Sequence, residues 1–264
     1  MNYLTALLYL FTTSFLQAQS IGARSAGLAH ASSTFGDTFS VIHNPGSLGI
    51  IETGDLATGY SNHYNVEGWN SVYVAFNTNI SGGFLGTAIS RFGDELMNLT
   101  TVHVGFGHKL GLAALGGAVV YNQLFIEGFG IRKFVQLDIG GIADLSTTFS
   151  LSAGIINITQ SRLSNKTDEF YPTLFYLGFR YSPTTYLNVV GQIDKSLDFN
   201  ATYKSGIEYQ INSLILRVGV STNPAMVTAG LGLVLKKLNL DYAFANNSEL
   251  GSSQSFGINY SFVK

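Results

Sequence analysis

The most regular pattern in the chain is a strict alternation of apolar and small polar residues. In the last strand-like segment, residues 254–264, one side carries Phe256, Ile258, Tyr260 and Phe262. The other side carries Ser255, Gly257, Asn259 and Ser261. A soluble domain covers its outer strand faces with charged residues. An apolar face backed by small uncharged residues instead indicates a wall between lipid and a polar lumen.

Similar runs recur along the chain and predict about fourteen strands, each near the 9 to 11 residues that a tilted membrane crossing requires. The predicted strands cover residues 55–62, 69–77, 83–92, 99–108, 112–122, 132–143, 147–160, 172–182, 185–195, 202–211, 213–221, 225–236, 238–246 and 254–263. We therefore predict an all-β fold, a transmembrane antiparallel β-barrel over residues 53–264. Its last strand would pair with the first near Leu56 to Tyr60.

Composition supports a membrane barrel over a soluble domain. Charged residues make up 11% of the chain, against roughly 25% in ordinary soluble domains. Beyond the first 18 residues no run approaches the roughly 20 apolar residues of a spanning helix. The net charge of -2 offers no basic surface for nucleic acid, and the absence of cysteine removes disulfides and thiolate metal sites. We expect a bacterial outer-membrane protein whose surroundings are outer-membrane lipid.

The first 18 residues predict a secretory signal peptide. They contain an apolar stretch from Tyr3 to Leu16, and Ala18 is a suitable small residue before a cleavage site. An uncleaved anchor is the alternative, because the stretch carries no Lys or Arg. Both interpretations imply export from the cytoplasm.

Residues 19–52 do not alternate and are rich in Gly, Ala and Ser. They precede the first strand and contain enough apolar residues to dock against other parts of the protein. We predict that they form a plug or hatch inside the barrel. The alternative is a mobile periplasmic tail.

Most charges within the predicted strands lie on the inward face. On successive strands this predicted ladder of charges comprises Arg180, Asp194, Lys204, Glu208, Arg217 and Asp241. Opposite charges on neighbouring strands relieve the cost of placing each one in a narrow lumen. The structural interpretation is a brace that fixes the strand register. The functional interpretation is a polar constriction in which Arg180 and Arg217 hold a carboxylate.

Glycines inside the strands suggest close approach of another segment to the wall. We expect Gly219 and Gly232 to make room for the plug, although curvature of the wall alone is an alternative explanation.

The sequence gives little reason to expect an enzyme, a metal site or a cofactor. Of the five histidines, only His103 is predicted to point inward from a strand. No Gly-x-Ser-x-Gly motif accompanies it, and no His or carboxylate pair has the spacing of metal ligands. A lone inward histidine is more often a hydrogen-bonding group of the lumen than a base.

The N-terminal segment resembles a known family. Gly22, Ala23 and Arg24, then Asp37, then Asn44, Pro45 and Gly46 are similar to the signature of the PorV/PorQ family, a Bacteroidetes branch of the FadL-like (long-chain fatty-acid transporter) barrel superfamily. Gly46 and Ser47 stand where that signature has Ala and Gly. The resemblance implies fourteen strands and an N-terminal hatch.

The resemblance implies two different functions. PorV/PorQ proteins are non-enzymatic partners in type IX secretion, so our main interpretation is a barrel that binds a secretion-system or cargo protein. The alternative is a FadL-like transporter that carries a hydrophobic ligand, a small molecule or fatty acid, across the outer membrane.

Overall fold

The computed structural model describes residues 21–162, 170–197 and 199–262. The predicted signal peptide, residues 1–18, lies outside the described residues. Within these ranges, fourteen antiparallel strands close into one barrel in which each strand pairs with its neighbours in the chain and β14 pairs with β1. This confirms the predicted all-β barrel and its number of strands.

The strands are β1 Asp55–Asn62, β2 Asn70–Ile80, β3 Gly83–Gly93, β4 Met97–Leu110, β5 Ala113–Ile126, β6 Gly130–Asp144, β7 Phe149–Ile156, β8 Leu174–Thr184, β9 Leu187–Ser196, β10 Thr202–Ile211, β11 Leu214–Thr222, β12 Ala225–Leu235, β13 Leu238–Asn247 and β14 Gly251–Ser261. We call the end of the barrel where β1 leads into β2 the loop end. The opposite end, where β2 leads into β3, is the turn end.

The outer surface of the barrel is apolar. Val72, Leu137 and Val218 are 52%, 41% and 54% exposed, as the alternation predicts for lipid-facing positions. The next residue along each of these strands is buried or half-buried on the inside. In lipid the backbone N–H and C=O groups have no water to bind, so a closed barrel satisfies them through its own strand pairs.

The first and last strands form a complete seam. Leu56 pairs with Tyr260 and Tyr60 with Phe256, within eight paired positions. The shortest strand pairing in the barrel is between β6 and β7, where six residue pairs connect Ile139–Asp144 to residues 150–155. Above this point the loop-end half of β6 contacts the irregular residues 157–161 instead of a strand.

The largest differences from the predicted strand boundaries lie in the β5–β6 hairpin and at the end of β7. Residues 123–131 were expected to form a long loop, but β5 continues to Ile126 and β6 begins at Gly130. Cross-strand pairing continues to the tip of this hairpin, where Ile126 pairs with Gly130. Strand β7 ends at Ile156 rather than at residue 160, because Asn157 takes a left-handed φ of 56° and its N–H binds the Asp138 carboxylate.

Residues 21–51, which we call the inner segment, lie inside the barrel. They contain two short helices, α1 Ala23–Gly27 and α2 Ser40–His43, followed by a 3-10 helix, Pro45–Ile50. The 3-10 helix packs against β4, β5 and β6, and α1 packs against β12 and β13. No helix among the described residues is long and apolar enough to cross a membrane.

Asn44 explains how the 3-10 helix is held against the wall. Its side-chain amide donates to the carbonyl oxygens of Ser33 at 2.8 Å and Gly141 at 3.1 Å. Its side-chain oxygen accepts from the N–H of Gly46 at 3.0 Å, which caps the helix that begins at Pro45. A Cβ on Gly46 would lie 2.5 Å from the Gly140 carbonyl oxygen. The Asn-Pro-Gly sequence thus permits close contact between two backbones.

The two wall glycines expected to face the plug have different neighbours. A Cβ on Gly219 would lie 2.6 Å from the backbone of Leu28, in the inner segment. A Cβ on Gly232 would meet Asp241 and Arg217, which belong to the wall itself. The expectation for Gly232 was therefore wrong: this glycine makes room for Arg217 to reach across β12.

The β1–β2 loop contains a half-buried histidine beside the single tryptophan. His63 Nε2 lies 2.8 Å from Ser71 Oγ, and its ring contacts Phe92. Trp69 contacts the same Phe92 ring. Burial lowers the pKa of His63 from 6.5 to about 4. The folded conformation of this loop therefore favours the neutral imidazole over the protonated one.

We expect substitution of Gly116 and Gly117 by valine to have different effects. A Cβ on inward Gly116 would overlap the Pro45 carbonyl, whereas one on outward Gly117 makes only ordinary contacts. Gly116→Val should lower the free energy of unfolding by about 1–3 kcal/mol, and Gly117→Val by less than about 0.5 kcal/mol. Chemical unfolding in detergent, followed by circular dichroism, measures both. Equal losses would mean that the close contact with the inner segment is unimportant.

The β1–β2 loop should loosen in acid. Because the folded pKa of His63 is below its unfolded value, its contribution to stability is present above pH 6.5 and is lost as pH falls towards about 4. The emission of Trp69, the single tryptophan of the chain, should change over this range. His63→Leu should remove the change; a transition that persists would show that protonation of His63 does not cause it.

Candidate functional site

A cavity of about 550 Å³ lies between the inner segment and the loop-end halves of β7 to β13. Its floor is formed by residues 25–43 of the inner segment, and its rim by the β9–β10, β11–β12 and β13–β14 connections. The volume is within the usual range of small-molecule sites.

The lining of the cavity combines apolar and polar side chains. The apolar part consists of Ala29, Ile42, Ile156, Leu174 and Met226. The polar part includes Ser25, His30, Ser33, Gln192, Asp194 and Lys204. A molecule in this space would therefore meet hydrocarbon on one side and hydrogen-bonding groups on the other.

An ion pair forms part of the cavity wall. Lys204 Nζ lies 2.5 Å from Asp194 Oδ2, and both side chains are largely buried. Gln192 donates to the other carboxylate oxygen at 2.7 Å, and its own oxygen accepts from the N–H of Ser33 at 3.1 Å. These contacts connect β9 and β10 to the inner segment.

Two neutral histidines lie in the floor. His43 Nε2 is 2.8 Å from the carbonyl oxygen of Ile21, so this nitrogen carries the proton. His30 Nδ1 lies 3.3 Å from Ser25 Oγ. Burial lowers the pKa of both imidazoles, and the Lys204 ammonium lowers the pKa of His30 further. Neither histidine adds charge to the cavity.

A second group of charges fastens the inner segment to the wall. Glu208 accepts from Arg24 through both carboxylate oxygens, at 3.0 and 2.8 Å, and from Arg217 Nε at 2.7 Å. Arg217 also pairs with Asp241 at 2.5 Å across β12. We call Arg24, Glu208, Arg217 and Asp241 the charge cluster. Each charge in it has an opposite partner, which offsets the desolvation cost of burial.

Arg180 lies apart from both groups. It donates to Ser150 Oγ at 3.3 Å, and its guanidinium lies 5.6 Å from the centre of the Phe35 ring. Arg24 stacks on the same ring at 3.9 Å. Phe35 of the inner segment is thus held between two arginines.

The structure divides the predicted ladder of charges into two groups. Lys204 and Asp194 pair at the cavity, while Glu208, Arg217 and Asp241 pair within the charge cluster. Among the described residues, Arg180 forms no ion pair. Whether the charges brace the barrel or bind a ligand stays a prediction.

The residues of the resembling N-terminal signature are placed along the inner segment. Gly22 has a φ of 98° and faces Phe39, and Ala23 is buried in α1. Arg24 joins the charge cluster and lies 3.7 Å from Asp37. Sequence reasoning placed Arg24 in the plug but did not pair it with Glu208, because 184 residues separate the two. No local pattern marks such a contact.

The described residues contain no group of three His, Asp or Glu side chains that is arranged to hold a metal ion. His103 points inward, as predicted, and is 4% exposed. Its Nδ1 has no hydrogen-bond partner among the described residues.

The fold is similar to three solved outer-membrane proteins. The CymD monoaromatic hydrocarbon channel matches with a TM-score of 0.72 and 10% identity, over 94% of this chain and 99% of that chain. The toluene transporter TbuX of Ralstonia pickettii matches with a TM-score of 0.69 and 14% identity, over 94% and 100%. A Pseudomonas aeruginosa FadL homologue matches with a TM-score of 0.62 and 12% identity, over 92% of this chain and 98% of that chain.

At these identities the similarity shows the fold alone. No protein-family model matches the chain, and no curated protein matches it. The three solved proteins are described as channels, transporters or their homologues, and none as an enzyme or an export partner. The closed fourteen-stranded barrel with its apolar outer surface is a protein of the bacterial outer membrane.

Loss of Arg24 should release α1 from the wall. Arg24→Met removes two charge-assisted hydrogen bonds, while Glu208 stays paired with Arg217. Ser25 of α1 is buried. Because the chain has no cysteine, the rate at which maleimide labels a Ser25→Cys variant reports how readily α1 leaves the wall. We expect the rate to rise about tenfold, the change that about 1.4 kcal/mol of lost stability produces.

The matched control is Arg91→Met. Arg91 is exposed on β3 and has no ion pair within the described ranges. Its loss should leave the labelling rate of the cysteine unchanged. If Arg24→Met also leaves it unchanged, the charge cluster does not hold the inner segment in place.

Proposed function

We propose that the protein is an outer-membrane channel for small, largely hydrophobic molecules, and that the cavity at the loop end is where such a molecule binds. The cavity itself carries this proposal. It lies inside a closed barrel, it has the volume of a small-molecule site, and the inner segment forms its floor.

We further propose that residues 19–52 act as the plug of this channel and that residues 53–264 form the barrel, after removal of residues 1–18. The buried 3-10 helix and α1 contact opposite regions of the wall. An inner segment in this position blocks a passive aqueous path. A bound molecule then leaves the cavity only when the inner segment or part of the wall moves.

The fold similarities support this function over protein export. One similar protein is described as a monoaromatic hydrocarbon channel and another as a toluene transporter. The export interpretation rests on the N-terminal resemblance. At the loop end, the connections between β3 and β4, β5 and β6, β11 and β12, and β13 and β14 each contain three residues or fewer and add little surface for a protein partner.

Filling the cavity should abolish uptake. Leu174 lines the cavity from β8, and the next residue, Phe175, faces lipid and is 40% exposed. We expect Leu174→Trp to reduce the uptake of radiolabelled monoaromatic compounds by at least tenfold in cells that express the protein in their outer membrane. Phe175→Trp exchanges one lipid-facing aromatic side chain for another and should leave uptake unchanged.

Uptake is compared per folded molecule, from the amount of protein that resists unfolding in detergent. If cells with and without the protein take up every compound equally, the channel proposal is wrong. In that case, co-purification of a secretion component from native membranes would favour the export interpretation.

A further inference from the structure

The polar groups of the cavity retain unused hydrogen-bonding capacity. Lys204 has three N–H donors, and among the described residues its ammonium has Asp194 as its ion-pair partner. His30 contacts Ser25 through Nδ1, and no described residue binds its Nε2. Both side chains line the cavity. A molecule that displaces water from these groups without replacing its hydrogen bonds leaves buried donors unpaired, which is costly.

The charges around the cavity are already neutralised. The Lys204 ammonium faces the Asp194 carboxylate, and the arginines beneath the floor are paired with Glu208 and Asp241. Glu249 at the rim adds a further negative charge. Among the described residues that line the cavity, an anionic molecule would find no unpaired Lys or Arg, and it would be repelled by two carboxylates. A buried charge without a partner is strongly disfavoured.

The rest of the lining is hydrocarbon. Ile42, Ile156, Leu174 and Met226 surround the cavity from the inner segment and from three strands of the wall. This surface favours an apolar body such as an aromatic ring.

We infer that the cavity selects an uncharged molecule with an apolar body and a hydrogen-bonding oxygen, which binds beside Lys204 and His30. This inference rests on the proposed channel function and specifies its substrate class. A pure hydrocarbon fills the apolar part but leaves the polar groups unpaired. A site that contains buried polar groups discriminates against a ligand that lacks their partners.

Three probes with the same methyl-substituted ring separate the possibilities: toluene, 4-methylphenol and 4-methylbenzoate. Each is titrated calorimetrically at pH 7.5 into the full-length protein in detergent. A titration into protein-free detergent micelles supplies the baseline for partition into the micelle. We expect 4-methylphenol to bind about tenfold more tightly than either of the other probes, which is the effect of roughly one well-made hydrogen bond.

Replacing the ion pair should remove this preference. The double variant Lys204→Met and Asp194→Leu exchanges two paired charges for apolar groups, a change that buried ion pairs often tolerate. Its affinity for 4-methylphenol should fall to that for toluene. Lys195→Met is the matched control, because Lys195 is exposed on the outer face of β9. Should the double variant fail to fold, loss of 4-methylphenol binding in Leu174→Trp locates the site.

The outcomes separate this inference from the channel proposal. Toluene binding as tightly as 4-methylphenol would overturn the inference and leave the channel in place. Tightest binding of 4-methylbenzoate would overturn the requirement for an uncharged molecule. Absence of binding and of uptake for all three probes would refute the channel proposal and the inference together.

Discussion

The width of a fourteen-stranded barrel is the constraint on which the rest of this structure depends. Lipid requires the strands to close, and closing this many strands leaves an interior wider than wall side chains can fill. The chain fills it with residues 21–51. Wall glycines such as Gly116 and Gly219 allow two backbones to touch. Where the inner segment does not reach, at the loop ends of β7 to β13, the cavity is left.

A filled interior also explains why so many charges are buried. Hydrophobic association alone would hold the inner segment without fixing its position, since any apolar contact inside the barrel gives a similar gain. Paired charges fix the position of the inner segment, because a displaced Arg24 would leave Glu208 with one partner fewer. Gly232 shows that the wall is adapted to these pairs, as its missing side chain is the space through which Arg217 reaches Asp241.

Sequence reasoning predicts the wall well because its rule is local. Alternation alone orients Val72 outward and Glu208 inward. Closure of the barrel pairs the last strand with the first near Leu56 to Tyr60, and the structure places Leu56 opposite Tyr260. Strand boundaries are harder to predict, since the end of β7 depends on a hydrogen bond from the N–H of Asn157 to Asp138. The site is harder still. The cavity exists only because distant segments meet, so neither the pairing of Arg24 nor the lining by His30 has a local signal.

If the protein is the channel that we propose, the position of Gln192 bears on how a bound molecule is released. Gln192 connects the inner segment to the Lys204–Asp194 ion pair of the wall. It accepts from the N–H of Ser33 and donates to Asp194, the partner of Lys204. A ligand that binds Lys204 therefore acts on a side-chain network that already includes the floor. If binding weakens the contact between Gln192 and Ser33, the free energy of binding opposes docking of the inner segment directly. Passage is then coupled to occupancy, and an empty cavity keeps the barrel closed.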